Sequence, residues 1–291
     1  MRWSPNRASS LVLRLISGLL LAGGLALTTI NAQIPGRNVN MVSGNKFPDG
    51  DPYLQRQNEP SIAASTRNPL HLLGGSNDYR TVDIPFPADG GDETGDAWLG
   101  LYKSLDGGQR WKSTLLPGYP QDDSPAGLAS PIKGYQAGAD PVVRAGTSGL
   151  FFYAGLVFDR GDNSKSAIFL SRFIDNNNRE TGDPVAYVGT TLVASTNGAS
   201  GRFLDKPWMA VDIPRGNPAM CVVSTPPAPP PPPQPPPPWW RPRRGKHYQH
   251  HQPPPPVNRV PAGNIYVTYS SITGDGPTLN SQIYMTMSAN C

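Results

Sequence analysis

KSLDGGQRW, Lys103 to Trp111, is a turn with unusually many commitments. An Asp carboxylate in a turn accepts backbone N–H groups a residue or two on, and a neighbouring Ser hydroxyl adds a second side-chain bond. Gly107 and Gly108 supply positive φ. Trp111 is expected to open the next strand and bury its ring between layers, its N–H still needing a partner. One turn is thus locked by Ser104, Asp106 and Gly108 and pinned by Trp111.

Around it lie short apolar runs rich in Val, Ile, Tyr and Phe: PSIAAS, HLLGGSN, WLGLYKS, WKSTLLP, PVVRAG, LFFYAGLVF, SAIFLSRF, TLVAS, WMAVDI, MCVVS, NIYVTYSS and QIYMTMS. Turn chemistry such as Gly146-Thr147-Ser148-Gly149, Asn197-Gly198 and Gly274-Asp275-Gly276 separates them. Many short strands at even spacing specify an all-β chain, as a sandwich, a barrel or a propeller. With 291 residues and 37% hydrophobic content, the chain has enough material for a buried core.

The N-terminus carries Arg2, Arg7 and Arg14, then LISGLLLAGGLALTT and the small-residue end INAQ, the order of a secretory signal cleaved after Ala32. A retained membrane anchor is the other reading of residues 1–32. Either way the mature chain is expected outside the cytoplasm, secreted or in the cell envelope, where Cys221 and Cys291 are free to pair or not. Of 25 basic residues, three fall in the signal-like segment and four in the proline-rich one described below. The remaining 18 face 21 acids, so the folded part is slightly acidic and carries no nucleic-acid footprint.

Residues 33–57 read as an irregular lead-in, and 58–225 as the main run of strands. Residues 226–256, PPAPPPPPQPPPPWWRPRRGKHYQHHQPPPP, form a low-complexity insertion between MCVVS and NIYVTYSS, two runs that would otherwise make a hairpin. Polyproline holds an extended shape without a core and serves as a spacer, or as a ligand for another protein or the cell envelope. Its His247, His250 and His251 lack carboxylate or cysteine company for a metal. The acidic loop Asp83, Asp89, Asp92, Glu93 and Asp96 offers oxygens for Ca²⁺, at spacings unlike an EF-hand, and a solvated loop accounts for it as well. No other cofactor is indicated, and no P-loop, dinucleotide fingerprint or nucleophile elbow is visible.

Ser-x-Asp-x-Gly-x-x-Trp at 104–111 resembles the Asp box, or bacterial neuraminidase repeat, of the sialidase-like β-propellers. NEPSIAAS (58–65), GADPVV (138–143) and DKPWMAVD (205–212) are similar to segments that accompany such boxes. Two weaker copies follow. In RFIDNN, Asp175 stands where Asp106 does, with Phe173 replacing the serine. In MSANC, Ser288 and Asn290 stand for Ser104 and Asp106. The resemblance implies a six-bladed wheel with the box between the third and fourth strands of a blade. The spacings, 69 residues and then 84 without the insertion, suit blades of roughly 40 to 50 residues, so about three blades are expected. Residues 257–291 then continue the propeller and break off inside a box-like turn, as in an N-terminal half or fragment.

Sialidase chemistry, as the resemblance implies it, uses an arginine triad, a tyrosine paired with a glutamate, and an aspartic acid. Here Asn58-Glu59 precede Pro60 where the first arginine is expected, and an acid there repels an anionic sugar. Asp78 as acid/base and Arg80 as substrate contact are the candidates for catalysis, while Asp140 and Asp205 begin strands in comparable settings. For each of these acids, capping a turn or binding backbone N–H groups is the preferred reading. The expectation is a propeller that binds glycans or cell-surface proteins without catalysis. The alternative is an exo-α-sialidase-type glycosidase whose remaining residues lie beyond 291.

Overall fold

The computed structural model describes residues 38–42, 57–79, 97–178, 180, 182–198, 201–223 and 258–291. The signal-like segment, most of the lead-in, Arg80, the acidic loop and the proline-rich insertion lie outside these residues. No helix among the described residues is long and apolar enough to cross a membrane.

The described chain is all-β, with antiparallel sheets and helix reduced to single turns such as Pro125–Leu128. The first sheet is a four-stranded meander of β1 (Gln57–Ala64), β2 (Leu72–Asp78), β3 (Trp98–Ser104) and β4 (Lys112–Leu115). A second repeats that order with β5 (Ala137–Ala145), β6 (Leu150–Phe158), β7 (Ser166–Asp175) and β8 (Val185–Thr196). In the third, β9 (Arg202–Val211) pairs with β12 (Ile265–Thr273), and β12 with β13 (Asn280–Ser288). Between β9 and β12 the chain makes a separate ladder of β10 (Met220–Val223) and β11 (Asn258–Pro261).

The run LFFYAGLVF shows why the second sheet is central. Side chains alternate across a strand, so a run apolar at every position must be buried on both faces. Phe151, Tyr153 and Val157 of β6 join Phe169 and Phe173 of β7 in a core with Leu73, Trp98 and Leu101 of the first sheet. Leu150, Phe152, Ala154 and Leu156 join Ile168 and Leu170 in a second core with Leu204, Met209, Ile265 and Val267 of the third. The first core is close-packed at Gly75, where a Cβ would stand 2.5 Å from the Tyr153 hydroxyl, which itself donates to the Gly100 carbonyl at 2.8 Å.

Each sheet begins with the same irregularity. In β1, Glu59-Pro60 lie between the pairs Asn58↔Asn77 and Ser61↔Gly75 and oppose Ser76 alone. In β5, Asp140-Pro141 oppose Gly155, and in β9, Lys206-Pro207 oppose Tyr269. The residue before the proline has φ of 52° at Glu59, 57° at Asp140 and 47° at Lys206. A bulge tolerates proline because its missing N–H falls where the ladder is already broken. This threefold device is the structural content of the NEP, ADP and DKP segments.

One strand pairing departs from the sequence reading. MCVV pairs with Asn258–Pro261, not with NIYVTYSS, which is held by β9 and β13. The short NRVP run carried too few apolar residues to be read as a strand. The insertion still leaves from one hairpin strand and returns to the other, and Cys221 at its base is bonded to Cys291.

Candidate functional site

The Ser104 turn joins β3 to β4, and its side chains bond as their chemistry requires. The Ser104 hydroxyl donates to Asp106 Oδ1 at 2.9 Å and accepts the Gly108 N–H at 2.9 Å, while Asp106 Oδ1 accepts the Arg110 N–H at 2.9 Å. Gly107 and Gly108 have φ of 73° and 88°. Trp111 is corrected: it is half-buried, and its indole N–H donates back to the Gly108 carbonyl at 2.9 Å, so it clamps its own turn without entering a core. The fully buried anchor is Trp98, whose Nε1 donates to the Leu116 carbonyl at 2.9 Å.

The other two copies sit at the same place, after the third strand of their sheets. Ser288 Oγ donates to Asn290 Oδ1 at 3.1 Å, repeating the Ser104–Asp106 bond. Asp175 has lost its own serine to Phe173, and Ser65 from the end of β1 supplies the hydroxyl instead, donating to Oδ2 at 2.6 Å. His71 Nδ1 lies 2.9 Å from Oδ1, which also accepts the Asn177 N–H at 2.7 Å. Ser65, His71 and Asp175 are all buried. The serine touches the carboxylate and not the imidazole, so the trio is a polar tie between two sheets, not a nucleophile with its base.

At the opposite end of the sheets the three bulges converge. Lys206 Nζ lies 3.5 Å from Glu59 Oε1 and 3.3 Å from Asp140 Oδ2, and Glu59 and Asp140 share a hydrogen bond. Asn77 orients the pair, donating from Nδ2 to Glu59 Oε2 at 3.3 Å and accepting the Asp140 N–H at 2.8 Å. The side chains are graded in exposure: Asp140 12%, Glu59 47%, Lys206 63%. Burial, helped by the bond to Glu59 and its charge, pushes the Asp140 carboxyl up to about 6, and Lys206 only partly offsets this. The bond from Asp140 holds Glu59 below its usual value. Below about pH 6 a proton is therefore held on Asp140 and donated to Glu59, and above it both carboxyls ionise beside Lys206. Burial disfavours the Lys206 charge, but the two acids raise its pKa. On the next rung of the same seam, Arg144 of β5 lies 4.9 Å from the ring centre of the exposed Trp208 of β9.

Asp78 lies at this end too, but inside the sheet. It is fully buried, accepts the Tyr102 hydroxyl at Oδ2 at 2.7 Å, and receives Gln57 Nε2 at Oδ1 at 3.4 Å. Asp205 accepts the Lys206 N–H at 2.8 Å. Of the acids at this end Glu59 is thus the exposed one, with Asp140 and Asp205 partly buried and Asp78 enclosed. Lys206 escaped the sequence reading, although DKP repeats the x-Pro spacing of NEP and ADP that would have found it. Among the described residues no three His, Cys, Asp or Glu side chains gather as a metal-ligating group. Comparison with known proteins finds no matching family model, curated protein or solved structure.

Proposed function

We propose that the chain is part of a sialidase-like Asp-box propeller, exported from the cytoplasm, that binds a glycan or a cell-surface protein without catalysis through the end where Glu59, Asp140 and Lys206 meet. Each sheet is then one blade, β1, β5 and β9 being the innermost strands. The observation that carries this is the convergence of the three x-Pro bulges. Three residues at positive φ, a conformation costly for side chains other than glycine, present mutually bonded charged groups at one point. Sugar hydroxyls or a partner's polar groups can donate to Glu59 and accept from Lys206, and the exposed Trp208 offers an aromatic surface beside them. Two carboxyls and a lysine are the wrong company for an anionic sugar, which favours binding over sialidase chemistry.

A glycan and surface-protein binding screen, run beside a fluorogenic sialoside assay, tests this. The expected result is binding weakened by Glu59→Gln or Lys206→Ala, with no sialoside turnover. Sialoside hydrolysis abolished by Asp78→Asn or Asp140→Asn would overturn the reading, and so would binding indifferent to both substitutions at the cluster.

A further inference from the structure

Glu59, Asp140 and Lys206 are held to different degrees. Asp140 is pinned: Asn77 Oδ1 accepts its N–H at 2.8 Å, Pro141 follows it, and its side chain is largely covered. Glu59 is tied by Asn77 Nδ2 at 3.3 Å and by its bond to Asp140. Lys206 is anchored at its backbone N–H, which Asp205 accepts at 2.8 Å, but its ammonium stands exposed on a flexible four-carbon stem. That ammonium meets the pair at the long end of hydrogen bonding, 3.5 Å from Glu59 Oε1 and 3.3 Å from each oxygen of Asp140. Lys206 is therefore the group of the three that can swing away.

The charge beneath the ammonium decides whether it does. With Asp140 protonated, Glu59 alone holds Lys206, and the Asp140 proton still serves Glu59 after the ammonium leaves. With Asp140 ionised, two carboxylates lie side by side, and pulling Lys206 away leaves like charges opposed. The other charges on the elements packed around Asp140 are engaged elsewhere. Asp78 of β2 is bonded to Tyr102 and Gln57, Asp205 of β9 holds the Lys206 N–H, Lys103 of β3 pairs with Asp183, and Arg144 of β5 lies on Trp208. Strand β6 carries no charge, and β1 none besides Glu59.

We propose that Asp140 gates the binding end: ionised, it holds Lys206 against the carboxylates, and protonated, it frees Lys206 to bond an oxygen of a neutral ligand. The ligand is then held in mildly acidic surroundings and released in neutral ones. This rests on the function proposed above, in which Lys206 donates to the ligand.

The gate is read first without a ligand. In the full oxidised chain with isotope-labelled lysine, the Lys206 side-chain resonance, assigned by its loss in Lys206→Arg, should shift in one step centred near pH 6. The step should vanish in Asp140→Asn. Absence of the step, or its persistence in Asp140→Asn, overturns the proposal. Binding to an array of neutral glycans is then compared at about pH 5 and about pH 7.5. The parent chain should bind about fivefold more tightly at the lower pH, the worth of one exposed ion pair, and Asp140→Asn equally at both. Equal affinity of the parent at the two pH values, tighter binding at the higher one, or pH dependence retained in Asp140→Asn also overturns the gate. No binding at either pH would instead refute the glycan reading of the function, and the Lys206 step, which needs no ligand, then decides the gate by itself.

Discussion

Asp140 ties protonation to stability. Its carboxyl keeps its proton to about pH 6 in the folded chain, against an ordinary value of 3.8. An acid with a raised pKa contributes stability that is fully present below the unfolded value and is lost as pH rises through the folded one. Asp140→Asn should therefore be more stable than the parent at neutral pH by about 1–2 kcal/mol, with the advantage fading between about pH 6 and pH 4. Denaturant titrations at a series of pH values check it, and a constant difference across the range would show that the pair does not share a proton. At Asp175 the same substitution is expected to destabilise. It is a buried carboxylate with His71 and Ser65 on its two oxygens, so Asp175→Asn should cost about 3 kcal/mol, read as a lower denaturant midpoint at unchanged slope.

At the scale of elements, β7 reaches the disulfide through Arg172. Its guanidinium donates toward Cys291 Sγ at 3.4 Å and lies 4.0 Å from Cys221 Sγ, and burial already depresses its pKa, with Tyr187 opposing. A cation beside sulfur favours the thiolate, and a stabilised thiolate makes the disulfide easier to reduce. Arg172→Met should shift the equilibrium with a dithiol such as dithiothreitol about tenfold toward the disulfide. A shift toward the thiols would remove this role for Arg172. Trp111 rests on its own turn for a local reason. A tryptophan after a locked turn has two places for its ring, the core and the turn itself; here the Gly108 carbonyl takes the indole N–H at the turn, while the buried tryptophan of this sheet, Trp98, stands at the far end of β3.

For the molecule as a whole, the proline-rich insertion leaves through β10 and returns through β11, whose four paired positions are anchored by Cys221–Cys291. Closure entropy depends only weakly on loop length. Replacing residues 226–256 by a short Asn-Gly linker should raise stability by no more than about 2 kcal/mol and leave the disulfide intact, as thermal melts and thiol counting would show. A large loss of stability would mean that the insertion packs on the fold.

The sequence by itself determined most of the strands and the turn at 104–111. Both follow from local chemistry: LFFYAGLVF is apolar at every position, and Ser104 bonds within four residues. The x-Pro repeats were visible too, but not their consequence. That Glu59, Asp140 and Lys206 meet, that Ser65 replaces a serine lost 108 residues away at Phe173, and that Cys221 finds Cys291 depended on contacts between distant segments. Only the tertiary structure decided these, because packing the sheets face to face fixes which bulges and strand ends come together, whereas residue spacing along a chain does not.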